Sequence, residues 1–324
     1  MSDKLKILLI TNNKLAVPAF QSLIAANVLC GVATSNKEHD IIHLYKGMAT
    51  QAGIPFTLLR NDNYKSLIKD LITELKPDAV LVMTFPWLIP AEILSIPKLG
   101  FINFHYGLLP EMRGADPIFE SIRLSKPFAG VTVHMMDEKL DTGDILDMEK
   151  IPLSTEFTYG ILSSQLSEVG NTICRRLIME LKKGRLPKSK KQDESIAHYY
   201  PKVTEQDITI QWDKMTIEQI IALVRSGNPI AKGMPTTINN WKIGLVDVST
   251  INIDGDASAI VPGTIIALDY QNGLCVCCLG GKGLKIEVIY TAEGIFPGYK
   301  LGFFGITPGM VFGQAPRVEE VPQN

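Results

Sequence analysis

Lys6-Ile7-Leu8-Leu9-Ile10-Thr11-Asn12-Asn13-Lys14-Leu15 is a short apolar run that stops at polar turn-formers. Residues 16–26 follow with Val17, Phe20, Leu23 and Ile24 at helical spacing, so the pair reads as a strand feeding a helix. Similar apolar runs recur at 28–33, 55–59, 79–83, 100–104 and 130–135, separated by helix-like stretches such as 63–75 and 116–124. Continuous apolar strands alternating with amphipathic helices imply an α/β architecture, a mostly parallel, doubly wound sheet covered on both faces. Such a sheet binds ligands at the carboxyl ends of its strands, near the point where strand order reverses. No G-x-G-x-x-G follows the first strand, which removes the main sequence support for a dinucleotide cofactor.

The chain has 324 residues, room for two domains at about 100–200 residues each. Its 46% hydrophobic and 20% charged residues are ordinary for a folded globular protein with a sizeable core. Lysine and arginine total 32 against 34 acidic residues, which excludes a strongly basic nucleic-acid binder but not a local basic patch. The five cysteines, Cys30, Cys174, Cys275, Cys277 and Cys278, cannot all pair and read as buried reduced thiols. A metal knuckle at Cys275-Val276-Cys277-Cys278 lacks a second ligand pair, so no metal is expected. With no leader-like segment and no run of about 18 apolar residues, the expected address is the cytoplasm, without a membrane.

A long helix over 156–181 closes the first part of the chain. Residues 182–191 hold six basic side chains in ten and read as a linker, either a solvated hinge or a contact for phosphates. Beyond it, 208–212 and a helical 216–225 precede β-like runs at 235–238, 242–248, 263–268, 273–279 and 284–290, broken by turns such as Asp254-Gly255-Asp256 and Gly280-Gly281. Short strands that must hide their edges suit a small β-barrel. The expected domains are therefore 1–185, a linker over 186–204, and 205–324.

Two stretches carry chemistry. In Phe101-Ile102-Asn103-Phe104-His105-Tyr106-Gly107-Leu108-Leu109-Pro110-Glu111-Met112-Arg113-Gly114, Asn103 and His105 are two apart at the end of a buried strand, so both side chains face the same side. Gly107 and Pro110 mark a chain leaving the sheet at the ligand-binding edge. His105 alone also fits a hydrogen-bonded structural role. The second stretch runs from Gly130-Val131-Thr132-Val133-His134 through Leu140-Asp141-Thr142-Gly143-Asp144-Ile145, a strand and an acidic loop where the Asp-Thr-Gly turn can bring a carboxylate back to the strand ends.

Together these stretches resemble the folate-dependent formyltransferases, which include the glycinamide ribonucleotide, methionyl-tRNA and sugar-amine enzymes. Asn103-x-His105 ahead of Leu108-Leu109-Pro110-x-x-x-Gly114, then Leu140 to Ile145, carries the resemblance. Tyr200-Pro201-Lys202-Val203-Thr204-Glu205 with Ile210-Gln211-Trp212 is similar to the entry into the second domain of methionyl-tRNA formyltransferases. Pro262-Gly263-Thr264-Ile265 and Gly283-Leu284-Lys285-Ile286 match that domain more loosely. The resemblance implies a formyltransferase-type Rossmann variant followed by an OB-like β-barrel, with 10-formyltetrahydrofolate as formyl donor. It implies a catalytic trio of Asn103, His105 and Asp141. An amide N–H and an imidazolium suit an oxyanion that develops as an amine attacks the formyl carbon, and a carboxylate suits orienting the imidazole and relaying the amine's proton. The implied folate-binding residues are Trp87, Leu88 and Ile89, Gly107, Leu108, Leu109 and Pro110, and Glu138, Lys139 and Leu140. Trp87 reads equally well as core packing.

The acceptor expected first is a small amine, a sugar nucleotide or an amino-acid derivative, with methionyl-tRNA as the alternative. Residues 35–43 are short and nearly neutral where tRNA-acting relatives insert a basic, glycine-rich loop. His134 stands where a histidine is commoner among relatives acting on small amines, and also suits a strand residue lining the crevice. From residue 200 onward nine basic residues face twelve acidic ones, whereas tRNA favours a basic surface. A formyltetrahydrofolate hydrolase and an inactive folate-binding protein complete the alternatives. The oligomeric state is not legible in the sequence.

Overall fold

The computed structural model describes residues 4–313. The chain divides into two compact units, Met1–Ile118 with Phe128–Pro152 and Leu162–Pro201, and Phe119–Pro127 with Leu153–Ile161 and Lys202–Asn324. The segment expected as a linker thus lies, as far as Pro201, within the first unit.

The first unit is built on strands β1 (Ile7–Thr11), β2 (Leu29–Ser35), β3 (Phe56–Leu59), β4 (Ala79–Met83), β5 (Phe101–His105), β6 (Phe128–Met135) and β7 (Ile145–Pro152). Their order is β3-β2-β1-β4-β5-β6-β7. The pairs from β3 to β5 are parallel, and β6 and β7 add antiparallel strands at one side. β1 and β4 are buried along their whole length because both faces are covered. Leu8, Ile10, Val80 and Val82 pack with Tyr64, Ile68, Leu71 and Ile72 of one helix, while Ile7, Leu9, Leu81 and Met83 of the opposite parity are buried as well. Each such aliphatic side chain contributes about 1.5–3 kcal/mol when removed from water, which is why these strands read as unbroken apolar runs. Among the described residues, no helix is long and apolar enough to cross a membrane.

Two elements differ from the sequence expectation. His39–Ala52 is a helix, which the sequence reading of residues 35–43 did not single out. Ile41, Tyr45 and Ala49 line its buried face at four-residue spacing, and Gly53 ends it in the left-handed conformation at φ +67°. The seventh strand was not expected, because its inner and outer positions alternate and Asp147, Glu149 and Lys150 interrupt the apolar run. The neighbouring strand β6 runs antiparallel to β5, with Asn103 opposite His134 and His105 opposite Thr132. That register brings both stretches of interest to one edge.

The second unit is an antiparallel sheet of Met234–Ile238, Trp241–Ile251, Gly283–Thr291, Gly273–Cys277 and Ile265–Asp269 in that spatial order, with Gly294–Pro297 paired to the third. Asn239 and Asn240 both adopt positive φ between Ile238 and Trp241, the two-residue turn that matches strand twist. Residues 309–313 join the two outer strands: Phe312 N–H donates to Gly263 O, Ile265 N–H to Met310 O, and Gly313 N–H to Thr237 O. The sheet is thereby closed on itself, which hides its edges. Thr216 and Gln219 form a reciprocal capping box at the start of the helix Ile217–Gly227. The cysteines are all free thiols.

Candidate active site

The β5–β6 register sets the geometry. Asn103 Nδ2 lies 3.0 Å from His134 Nε2, and His134 Nδ1 lies 2.8 Å from the Met135 carbonyl. A carbonyl can only accept, so His134 carries its proton on Nδ1 and offers the Nε2 lone pair to the Asn103 amide. Burial pushes the His134 imidazole down to about 4; neighbouring His105 adds to the push, while Asp141, the Met135 bond and Asp137 oppose it. The neutral ring therefore holds one N–H of Asn103. The second N–H of that half-buried amide stays available to an incoming oxygen.

His105 Nε2 donates to the Met112 carbonyl at 2.6 Å, which pins the ring and leaves Nδ1 facing Asp141 Oδ1 at 3.5 Å. At that separation the two groups attract only when Nδ1 also carries a proton, so the geometry suits a ring that takes up a proton during the reaction. The same Asp141 oxygen is 3.8 Å from His134 Nε2, and Asp141 Oδ2 accepts the Gly114 N–H at 3.0 Å. Asp141 is buried, at φ +59°, a conformation rarely taken by residues with a side chain. Its loop can approach the sheet because Gly143 has no Cβ: one placed there would stand 1.8 Å from the Met135 carbonyl oxygen. Gly114 is needed at φ +124°, where a Cβ would meet the Tyr200 carbonyl oxygen at 1.9 Å.

The carboxamide, imidazole and carboxylate singled out in the sequence thus converge, with His134 between Asn103 and Asp141. Such a cluster can stabilise a developing oxyanion and hold a proton, with no thiol or hydroxyl nucleophile among the contacts described. Among the described residues no group of side chains is arranged to hold a metal ion.

The remaining expected residues are spread more widely. Trp87 stacks on Tyr64 with centroids 4.9 Å apart, meets Phe85 edge-on and the Lys37 ammonium, and packs against the core under the sheet. Ile89 is in the core, Leu88 is exposed, and the Leu88 carbonyl accepts the Tyr64 hydroxyl. Gly107 and Leu109 bracket Thr132, whose hydroxyl donates to Gly107 O and accepts the Leu109 N–H. Leu108 is half-buried and Pro110 buried, its carbonyl accepting the His198 N–H. Glu138, Lys139 and Leu140 form an exposed loop. A cavity of about 420 Å³ is lined by Met135, Asp137, Thr142, Gly143, Asp144, Leu146, Leu186, Pro187 and Ser189, and by none of the trio.

Sequence reasoning missed the stretch after the long helix. Ile145 and Lys190 exchange both backbone hydrogen bonds at 2.8 Å, and Arg113–Gly114 pairs with Tyr199–Tyr200. Arg113, quoted in the motif without a role, is buried and bonded to Gln192 and Glu194. The only hint in the sequence was an uncharged amide, Gln192, directly after the basic run.

A family model described as formyl transferase matches residues 17–178. A methionyl-tRNA formyltransferase of Carboxydothermus hydrogenoformans is 34% identical over 241 residues, 72% of this chain and 76% of the relative. Another from Ruminiclostridium cellulolyticum is 33% identical over 247 residues, 71% of this chain and 76% of that one. Among solved structures, the sugar 3N-formyl transferase WlaRD superposes with a TM-score of 0.64 at 18% identity, covering 87% of this chain and 97% of its own. The Helicobacter canadensis N-formyltransferase, crystallised with folinic acid and dTDP-3-aminofucose, gives 0.63 at 17% identity, covering 89% and 99%. At that identity the two structures share the fold with this chain. The sequence matches go further, and by them the chain belongs to the formyl transferase family.

Proposed function

We propose that the chain transfers a formyl group from 10-formyltetrahydrofolate to the amino group of methionyl-tRNA. Relatives matching more than two thirds of the chain at 33–34% identity are methionyl-tRNA formyltransferases, and this favours reversing the order expected from sequence, where a small amine came first. The observation that carries the acceptor is the basic stretch after the long helix. Lys188, Lys190 and Lys191 are exposed on it, while the Lys190 backbone pairs with Ile145 beside the Asp141 loop, so the positive charge borders the candidate site within one unit. An acceptor rich in phosphate suits that border.

When bound, the donor supplies an N-formyl group whose carbonyl carbon is open to attack by an amine. The free N–H of Asn103 donates to the formyl oxygen as negative charge grows there, with His134 keeping the amide turned the right way. His105 and Asp141 would take the proton that the amine loses as the new C–N bond forms and return it to the folate nitrogen as the donor's formyl C–N bond breaks, so that tetrahydrofolate leaves neutral at that nitrogen. The donor's ring system fits the 84–89 segment and the Glu138 to Leu140 loop. Thr84, at the head of that segment, has a buried hydroxyl with no hydrogen-bond partner, and its φ of +62° matches the strain often found at ligand sites.

A small amine remains the second reading, favoured by the tight connection from Ser35 to the helix at His39, which leaves no room for a basic loop. A side-by-side assay with 10-formyltetrahydrofolate and methionyl-tRNA, an amino-sugar nucleotide or free methionine decides between them. Formylation of methionyl-tRNA with kcat/KM about 100-fold above the others is expected, the scale that a large charged interface supports. Exclusive formylation of the amino-sugar nucleotide overturns the tRNA assignment. Changing Lys188, Lys190 and Lys191 to alanine should raise the KM for tRNA and flatten its salt dependence.

A further inference from the structure

We infer that Gln192, from the stretch that reads as a linker, is a positioning residue for the Asp141 carboxylate. Its carboxamide Nε2 donates to the carbonyls of Asp141 and of Gly143, each at 2.8 Å, spanning the turn that carries the carboxylate. Its Oε1 accepts from Arg113 Nε at 3.2 Å and Nη2 at 2.8 Å. Every hydrogen-bonding position of the amide is used. Flipping the amide would set its NH2 against a guanidinium and its oxygen against two carbonyls, so the orientation is fixed by its partners. Arg113 is fixed in turn by Glu194, bonded at 3.0 and 2.7 Å, and by its own N–H on the His198 carbonyl.

The arrangement holds Asp141 from two sides. Gly114 donates its N–H to the carboxylate itself, and Arg113, the residue before it, acts through Gln192 on the backbone that carries the carboxylate. Asp141 adopts a left-handed backbone that residues with a Cβ avoid, and the two bonds from Gln192 over-determine it. A segment that only strapped the fold together would need the Ile145–Lys190 backbone pair and nothing more. The side-chain bonds converge instead on the turn that aims Asp141 at His105.

The inference rests on the proposed reaction for its kinetic consequence and on geometry alone for its spectroscopic one. Full-length protein with 15N-labelled histidine is compared as parent, Gln192→Glu, Gln192→Ala and Asp141→Asn, with His105→Asn assigning the signal. Glu keeps the length and the acceptor for Arg113 but loses both donors. In both Gln192 variants the ring-nitrogen resonances of His105 should move toward those of Asp141→Asn. The kcat should fall by about 100-fold while both KM values stay within about twofold, as expected when a reacting group is misplaced but binding is not. Arg113→Lys, which keeps a positive charge for Glu194 but loses the fork on Gln192, should move the same resonances part of the way. Unchanged His105 signals in Gln192→Glu, or parental kcat there, overturn the inference. If Gln192 variants unfold, an unmoved signal in Arg113→Lys does the same. A parent without formyl transfer to any acceptor, yet with the His105 shift on substitution, would sink the proposed function and leave the positioning role standing.

Discussion

Acidification should destabilise this protein through one buried ring. His134 is pushed from its ordinary 6.5 down to about 4, first by burial and then by neighbouring His105, against the pull of Asp141, the Met135 bond and Asp137. Between those two values the unfolded chain holds a proton that the folded ring refuses, so stability rises with pH across the window. The contribution is complete above about pH 6.5, falls as the pH drops, and levels off below about 4. A separation of 2.5 units corresponds to about 3 kcal/mol in full, of which about 2 kcal/mol is lost between about pH 7 and pH 4.5. Urea unfolding of the parent and of His134→Gln, followed at several pH values across that range, isolates the ring, because Gln does not titrate. The parent should lose about 2 kcal/mol more than the variant on acidification. The physical cause is also chemical: a protonated Nε2 can no longer accept the Asn103 amide, so formyl transfer should fall over the same window. Parallel stability curves for the two proteins would refute the reasoning, since the ring would then be charged in the fold or equally neutral in both states.

Replacing Asn103, His105 or Asp141 by Ala should each lower kcat by about 10²–10⁴-fold in a protein that still folds, and near-parental turnover of His105→Ala would remove it from the mechanism. Gly143→Ala should displace the Asp141 loop, because the new Cβ would stand 1.8 Å from the Met135 carbonyl; a cost of several kcal/mol in urea unfolding or an equivalent loss of kcat is expected, about the scale of a severe core clash.

How much of this was legible in the sequence follows from which groups do the work. Strands buried on both faces must be apolar at every position, so β1 and β4 announce themselves. The helix His39–Ala52 buries only Ile41, Tyr45 and Ala49, and the polar residues between them, His43 and Lys46 among them, hide the period. β7 alternates with solvent, and its charges read as a loop. Asn103 and His105 were visible because two-residue spacing on a strand gives a shared face, which one stretch of sequence contains entirely. The bonds from Gln192 join it to residues 49, 51 and 79 positions away, beyond any local pattern.

The basic run shows why composition misleads here. Its side chains at Lys188, Lys190 and Lys191 do face solvent, as a linker's would. Yet Lys190 contributes to the site through its backbone N–H and C=O, which every residue other than proline possesses and which leave no trace in composition. A lysine can therefore keep its charge in water while its peptide groups close a ladder against the Asp141 loop. The same property explains how one segment can serve both proposed purposes, with ammonium groups exposed to solvent, where the proposed polyanionic acceptor would meet them, and the main chain, with Gln192, turned inward to the turn that holds the carboxylate. Separating the two is a matter of substituting side chains alone: alanine at the three lysines removes the outward charge and leaves the Ile145 pair, so acceptor affinity and the His105 resonance should respond independently, the first to lysine changes and the second to changes at Gln192.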